Sequence, residues 1–340
     1  MAPKTPASTL TVDVHSHVKV PKAAAEAMTR FSPELDPRSL YSSPETNSLN
    51  RAFHESVEDR FTDPQTRLRD METMGVDVQA LALAPPQYFY WLDEPTARGV
   101  ARMQNDHIAA IVQEWPDRFR GIGTLPLAHP TTAVAEAERL HGELGMRGIE
   151  IGTDVVGADL DDPRFEPIWE AVAALGLVVI LHPAGFTEGR RFTDYYLVNV
   201  IGLPLSSTLA VTRLILGGVF ERHPGLRMVV VHGGGYLPFY SARTDHAFRH
   251  RPEMRRHIDR LPSEYLANLW FDSTVFSADL LETLVRVYGA DRVLMGTDYP
   301  FDMGQGNPLD FIASTDLTED ERALILGENA NQLFGFGLGR

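Results

Sequence analysis

The sequence predicts an α/β fold: a (β/α)₈ TIM barrel with an insertion after its first strand. Three observations carry this. Eight short apolar runs recur along the chain, and nearly all are separated by stretches of helical periodicity. The runs are continuous rather than alternating, as in strands buried on both faces. No Gly-x-Gly-x-x-Gly follows the first run, so the competing doubly wound, dinucleotide-binding sheet has no support.

The elements read in order as follows. Leu10 to Val14 is the first strand, and Lys22 to Phe31 fits a short helix. Ser32 to Asn50 is polar and carries Pro33, Pro37 and Pro44, so it reads as an irregular excursion with a flexible tip near Ser42 to Ser48. The insertion as a whole covers about residues 20–62 of a single domain, 1–340. Asp63-Pro64 is an N-cap followed by proline, and its helix runs to about Met74 before Gly75.

Val76 to Leu83 is the second strand, ended by Pro85-Pro86. Thr96 to Trp115 is helical and Phe119 to Leu125 is the third strand. Thr131 to Leu144 is helical and Gly148 to Gly152 the fourth strand. Asp162-Pro163 repeats the cap signal for a helix through Ala174. Leu177 to Leu181, the fifth strand, leads to a helix over Pro204 to Phe220. Leu226 to Val231, the sixth, leads to a helix from Leu237 to about Arg256. Leu269 to Asp272 is the seventh strand, Ala278 to Tyr288 a helix, and Arg292 to Met295 the eighth strand. Thr318 to Leu333 closes the chain with a capping-box start.

Composition narrows the function. The 340 residues are 44% hydrophobic and 23% charged, enough for a sizeable core. A net charge of −15 argues against nucleic acid or an anionic membrane as partner. Cysteine is absent, so disulfides, thiolate ligands and a cysteine nucleophile are excluded. Met1 to Thr9 lacks the apolar core of a secretory signal, and no run reads as a transmembrane helix; a cytoplasmic location is the expectation.

The chemistry lies at the strand ends. His15 and His17 follow strand one, His182 strand five, His232 strand six and Asp298 strand eight. In this barrel the C-terminal strand ends ring one mouth. Neutral imidazoles and a carboxylate are ligands for zinc and related cations. Each residue alone reads equally well as a strand-end cap; the set converging on one rim does not. The other histidines fall in helices, loops or the insertion. Phe89, Tyr90 and Trp91 follow the second strand and either stack a flat substrate at the mouth or form an apolar lid. Arg249, Arg251, Arg255 and Arg256 read as a solvated helix face.

The wording around these positions is specific. Asp13-Val14-His15-Ser16-His17, Phe119 to Pro126, Leu181-His182-Pro183, Gly217 to Glu221, His232-Gly233-Gly234-Gly235 and Gly296 to Phe301 together resemble the amidohydrolase superfamily. They resemble most its branch of 2-amino-3-carboxymuconate-6-semialdehyde decarboxylase-like proteins. The resemblance runs from strand one to the last helix and is weakest over about Pro21 to Phe61.

It implies one divalent metal, zinc foremost and manganese in some relatives, held by His15, His17, His182 and Asp298, with no organic cofactor. Strand four ends Glu150-Ile151-Gly152, without the lysine of binuclear members. His232 would then be the general base beside the metal-held water, and Asp298 or His232 would help protonate carbon. The implied activity is non-oxidative decarboxylation of a small unsaturated or aromatic carboxylic acid. Hydrolysis of an amide, lactone or C–C bond by the same site is the alternative.

Substrate residues depart from the branch. Its carboxylate-holding arginine falls near His54 or Glu55 here, with Arg51 and Arg60 offset, and an aromatic residue after strand five falls on Asn199. Arg243 matches an arginine that a partner subunit contributes in relatives, which implies a homodimer or larger homo-oligomer. Its other reading is a surface arginine.

Overall fold

The computed structural model describes residues 9–31, 42–185 and 189–339. The apolar runs become strands because their β-branched residues pack on both faces. The strands are β1 (Val12–Val18), β2 (Val78–Leu83), β3 (Phe119–Gly123), β4 (Gly148–Ile151), β5 (Asp154–Val155), β6 (Ala158–Asp159), β7 (Val178–Leu181), β8 (Arg227–Val230), β9 (Trp270–Asp272) and β10 (Val293–Leu294). β5 and β6 form a small antiparallel hairpin beside the main sheet. The other eight form one sheet in chain order, every pair parallel.

The sheet curls until its edges meet. Val14 N donates to Met295 O at 3.0 Å, Asp298 N to His15 O at 2.8 Å and His17 N to Tyr299 O at 2.8 Å. This closure makes the expected (β/α)₈ barrel.

Alternate strand residues divide between two apolar layers. Val12, Val14, Val78, Ala80, Val178, Ile180, Val229 and Val231 pack together with Leu333 and Phe334 of the last helix, which plugs the base. Their neighbours Leu81, Val179, Leu181, Met228 and Val230 pack outward against the helices. Both faces are dry, which is why the strands read as unbroken apolar runs. The β1–β2 register shifts between Asp13 and Ser16. Such an irregularity switches faces, so His15 and His17 point inward although Val14 does too.

Local signals hold where expected. Asp63 accepts from Gln65 N and Thr66 N, and Gly75 ends that helix at φ 73°. Thr318 and Glu321 form the capping box. Several expectations need correction. The excursion holds the helix Pro44–Ser56, with Pro44 at its start and the Ser43 side chain accepting from Thr46 N. Residues 32–41 of that excursion lie outside the described residues. The helix expected over Pro204 to Phe220 is preceded by a wider turn, Val198–Gly202, and breaks at Gly217-Gly218, where Gly218 takes φ 75°. The helix expected to reach Arg256 ends at His250, because Pro252 cannot continue it.

The expectation that no run could span a bilayer also changes. Val198–Leu216 is long and apolar enough by length and composition. Its Ala210, Val211, Leu214 and Ile215 are buried against the barrel.

Candidate active site

The barrel mouth brings together all five residues expected there. Asp298 stands at the centre, in a left-handed turn at φ 58° after β10. Its Oδ1 faces three imidazoles: His17 Nε2 at 3.0 Å, His15 Nε2 at 3.3 Å and His182 Nε2 at 3.9 Å. Its Oδ2 faces the fourth, His232 Nε2, at 3.6 Å. The donor atoms of His15, His182, His232 and Asp298 all lie within 4.8 Å of one another.

Asp298 Oδ1 with the Nε2 atoms of His15, His17 and His182 fits one small divalent cation. Ligand atoms about 2.0–2.1 Å from a shared ion stand roughly 3.3 Å apart at tetrahedral angles. The Oδ1 distances bracket that spacing. His15 Nε2 and His182 Nε2 are buried without any hydrogen-bond partner, an arrangement that is costly unless something else is bound.

Second partners set the tautomers. His15 Nδ1 donates to Asp272 Oδ2 at 2.6 Å, and His182 Nδ1 to Pro183 O at 2.8 Å. In the neutral form of each ring this leaves the Nε2 lone pair turned inward.

Asp13, wholly buried, ties β1 to the turn after β10. Its oxygens accept from His15 N at 3.0 Å, Gln79 Nε2 at 2.9 Å, Thr297 N at 3.1 Å and Thr297 Oγ1 at 2.6 Å. Burial raises its pKa to about 6. Behind it, the buried Arg67 donates to the His17 carbonyl and to Gln79 Oε1.

The charges sort themselves around Asp298. Burial disfavours ionised Asp298, but the His15 charge and the contacts from His15, His17 and His182 together outweigh it and hold the carboxyl well below the usual range. Burial also opposes a charged His15, yet Asp298 and Asp272 raise its pKa well above normal. Burial lowers His17 to about 4 and pushes His182 well below its usual value. Neutral His17 and His182 are competent ligands at neutral pH.

Glu150, in β4, is fully buried and accepts from Tyr88 Oη at 2.8 Å. Burial lifts its pKa to about 8.

Above this floor opens a cavity of about 630 Å³. The helix Pro44–Ser56 lends it Thr46, Asn47, Asn50, Phe53 and His54; Tyr196, Asn199, Leu203, Phe239 and Phe276 line other sides. His182, His232 and Asp298 open into it.

Asn199 lies on the wall of this cavity. Phe89 and Trp91 do not line this cavity. Phe89, at φ 48°, is buried, and the Trp91 ring packs edge-on against Phe89 and Phe31. The loop therefore turns its aromatics into the helical layer, matching the lid reading better than the stacking one. Arg243 is exposed on the helix Leu237–His250, off the chain's own cavity.

Sequence reading missed Asp272 and the polar wall. The signal for Asp272 was present, since it is a carboxylate at the end of a barrel strand.

A closed eight-stranded barrel with imidazoles and a carboxylate gathered at the C-terminal strand ends defines a class of metal-dependent barrel enzymes. Within that class the chain belongs to the amidohydrolase family, whose sequence model matches residues 12–336. It is 36% identical over 289 residues to 2-amino-3-carboxymuconate-6-semialdehyde decarboxylase of Dictyostelium discoideum, covering 84% of this chain and 80% of that one. Among solved structures, 5-carboxyvanillate decarboxylase from Sphingomonas paucimobilis superposes with a TM-score of 0.85 at 27% identity, over 96% of this chain and 99% of the other. The Novosphingobium aromaticivorans 5-carboxyvanillate decarboxylase, solved with manganese and 4-hydroxy-3-methoxy-5-nitrobenzoic acid, gives a TM-score of 0.85 at 25% identity, over 96% of each chain.

Proposed function

We propose that the protein is a metal-dependent, non-oxidative decarboxylase of a small unsaturated or aromatic carboxylic acid. The observation that carries this is the convergence of His15, His17, His182 and Asp298 Oδ1 beneath a cavity sized for one small molecule. The decarboxylase relatives support the reaction class.

In this reading those four residues hold one divalent cation, zinc foremost; the manganese of the Novosphingobium structure supports the alternative. When bound, the cation supplies Lewis-acid stabilisation of negative charge on a substrate oxygen.

The chain's residues do the rest. Asn199 and the Thr46–Asn50 face orient the substrate by hydrogen bonds. Phe53, Leu203 and Phe276 cover its flat faces and exclude water. The bond from carbon to carboxylate breaks, its electron pair stays on the carbon, and carbon dioxide leaves. His232, on the Oδ2 side of Asp298 and open to the cavity, delivers the proton that the carbon takes up. Asp298 holds the His232 ring by charge, so R–COO⁻ plus one proton gives R–H plus carbon dioxide.

Two copies of the chain are the proposed assembly. Leu209, Phe239 and Tyr240 are exposed beside the mouth, and Arg243 lies one turn beyond Phe239, where it would serve a neighbour's cavity. We keep a cytoplasmic location and a single domain, 1–340, as part of the same reading.

Carbon dioxide release from a panel of hydroxybenzoates, muconate-type acids and lactones tests the reaction. Turnover of lactones or amides without carbon dioxide would select the hydrolase alternative.

A further inference from the structure

We infer that Asp272 is a positioning residue that couples the two halves of the site. One carboxylate fixes which nitrogen of His15 faces the cation position and also holds the turn that carries His232. This rests on the reading above that the donors gather a divalent cation.

Asp272 ends β9 and is fully buried. Each oxygen has two donors. Oδ2 accepts from His15 Nδ1 at 2.6 Å and from Thr274 Oγ1 at 2.9 Å. Oδ1 accepts from Gly233 N at 2.7 Å and Thr274 N at 3.3 Å. An ionised carboxylate only accepts, so His15 must keep a proton on Nδ1. In the neutral ring its Nε2, 3.3 Å from Asp298 Oδ1, then carries the lone pair that a cation needs, and it has no hydrogen-bond partner.

The other oxygen works on the next strand end. Gly233 directly follows His232, and the two residues take φ 59° and 56°. Two successive left-handed residues need an external hold. A Cβ at Gly233 would lie 2.2 Å from Val275 Cγ1, so a side chain there would force the turn to shift. The Gly233 N–H is thus both exposed to the carboxylate and fixed by it.

Asparagine cannot replace this carboxylate. In Asp272→Asn the side chain keeps its shape but accepts on one side only. With its oxygen towards Gly233, its NH₂ meets His15 Nδ1, and the proton must move to Nε2, which removes the lone pair. With its oxygen towards His15, its NH₂ meets two backbone N–H groups and the His232 turn is released. Either way one half of the site fails without a change in packing volume.

The test uses the full chain loaded with Zn²⁺. Cation affinity is read by chelator competition, the His15 tautomer by long-range ¹H–¹⁵N spectra, the Gly233 amide by hydrogen exchange and the fold by circular dichroism. Wild type is expected to hold one Zn²⁺ with His15 protonated on Nδ1. Asp272→Asn is expected to keep its circular dichroism and, where the His15 proton moves, to lose affinity roughly 10–100-fold. Either the His15 proton moves to Nε2 or the Gly233 amide exchanges faster. Thr274→Val, which removes one donor and keeps the carboxylate, is expected to lose less affinity and keep the tautomer.

Unchanged affinity together with unchanged Gly233 exchange in Asp272→Asn, or Nε2–H on His15 in the Zn²⁺-loaded wild type, overturns the inference. A wild type that takes up no cation overturns the functional reading instead. The coupling is then decided by Asp272→Asn alone, and an unchanged tautomer together with unchanged Gly233 exchange overturns it.

Discussion

Replacing His232 and His182 separates the roles assigned to the two residues. His232 faces Asp298 Oδ2 at 3.6 Å, and its side chain is 18% exposed to the cavity. His182 faces Oδ1, as His15 and His17 do, and its side chain is 5% exposed. His232 sits at φ 56°, so asparagine is the apt substitution, being tolerant of left-handed backbone. A lost general acid or base costs about 10²–10⁴-fold in rate. At 1.36 kcal/mol per decade this is about 2.7–5.4 kcal/mol of barrier. His232→Asn should therefore keep one cation per chain while carbon dioxide release falls by that factor. His182→Ala should lose the cation, because it removes one of three imidazoles spaced around a single oxygen. The assay pairs metal content after dialysis with carbon dioxide release at saturating substrate. Loss of metal from His232→Asn as complete as from His182→Ala would refute the division and make His232 a ligand.

Three further outcomes are expected. Glu166 accepts two bonds from Arg222 at 2.7 and 2.8 Å and one from His223 at 2.9 Å, and its pKa is lowered to about 2, chiefly by Arg222. Its contribution is complete above the unfolded value near 4.5 and is lost as pH falls towards 2. Glu166→Gln, a third exposed and so partly screened, should cost about 0.5–1 kcal/mol at neutral pH and progressively less as pH falls through the folded value, read by thermal melts. Gly234, at φ 78°, would place a Cβ 2.5 Å from Phe271 Cδ1. Gly234→Ala should lose about 2 kcal/mol or more in denaturant melts; a loss below half that would show that the turn yields. Asn199→Ala should raise KM several-fold with kcat little changed, whereas Trp91→Ala should leave KM alone. The reverse result would restore the stacking role of Trp91.

Much of this was legible in the chain because the barrel converts sequence position into spatial position. Strands dry on both faces leave continuous apolar runs, and a residue at the end of such a run is at the mouth. That logic located His15, His17, His182, His232 and Asp298 without any three-dimensional information. It failed where a residue's place depends on a partner elsewhere. Asp272 itself ends such a run; what the chain does not announce is its bond to His15, 257 positions away. The helix Pro44–Ser56 was lost for a different reason: none of its side chains is buried, so its apolar periodicity is faint. Its Ser43-Pro44 start repeats the Asp63-Pro64 signal and was the available clue. Phe89 and Trp91 left two readings open because a turn at φ 48° decides which way the aromatics face, and composition carries no record of that turn.

The seam that closes the barrel has a kinetic consequence. The bonds joining β1 to the turn after β10 flank His15, His17 and Asp298 themselves. His17 and Asp298 are 281 positions apart, and Asp13 and Thr297 are 284 apart. Such separations delay contact until loop closure is nearly complete. A growing chain exposes its first two histidines early but has no carboxylate to set between them until the eighth barrel strand is made. Cation capture therefore cannot template this fold from its beginning, as it does in a zinc finger. It reports that the ring has closed, and pulse-labelled metal uptake should lag behind the formation of the first four strands.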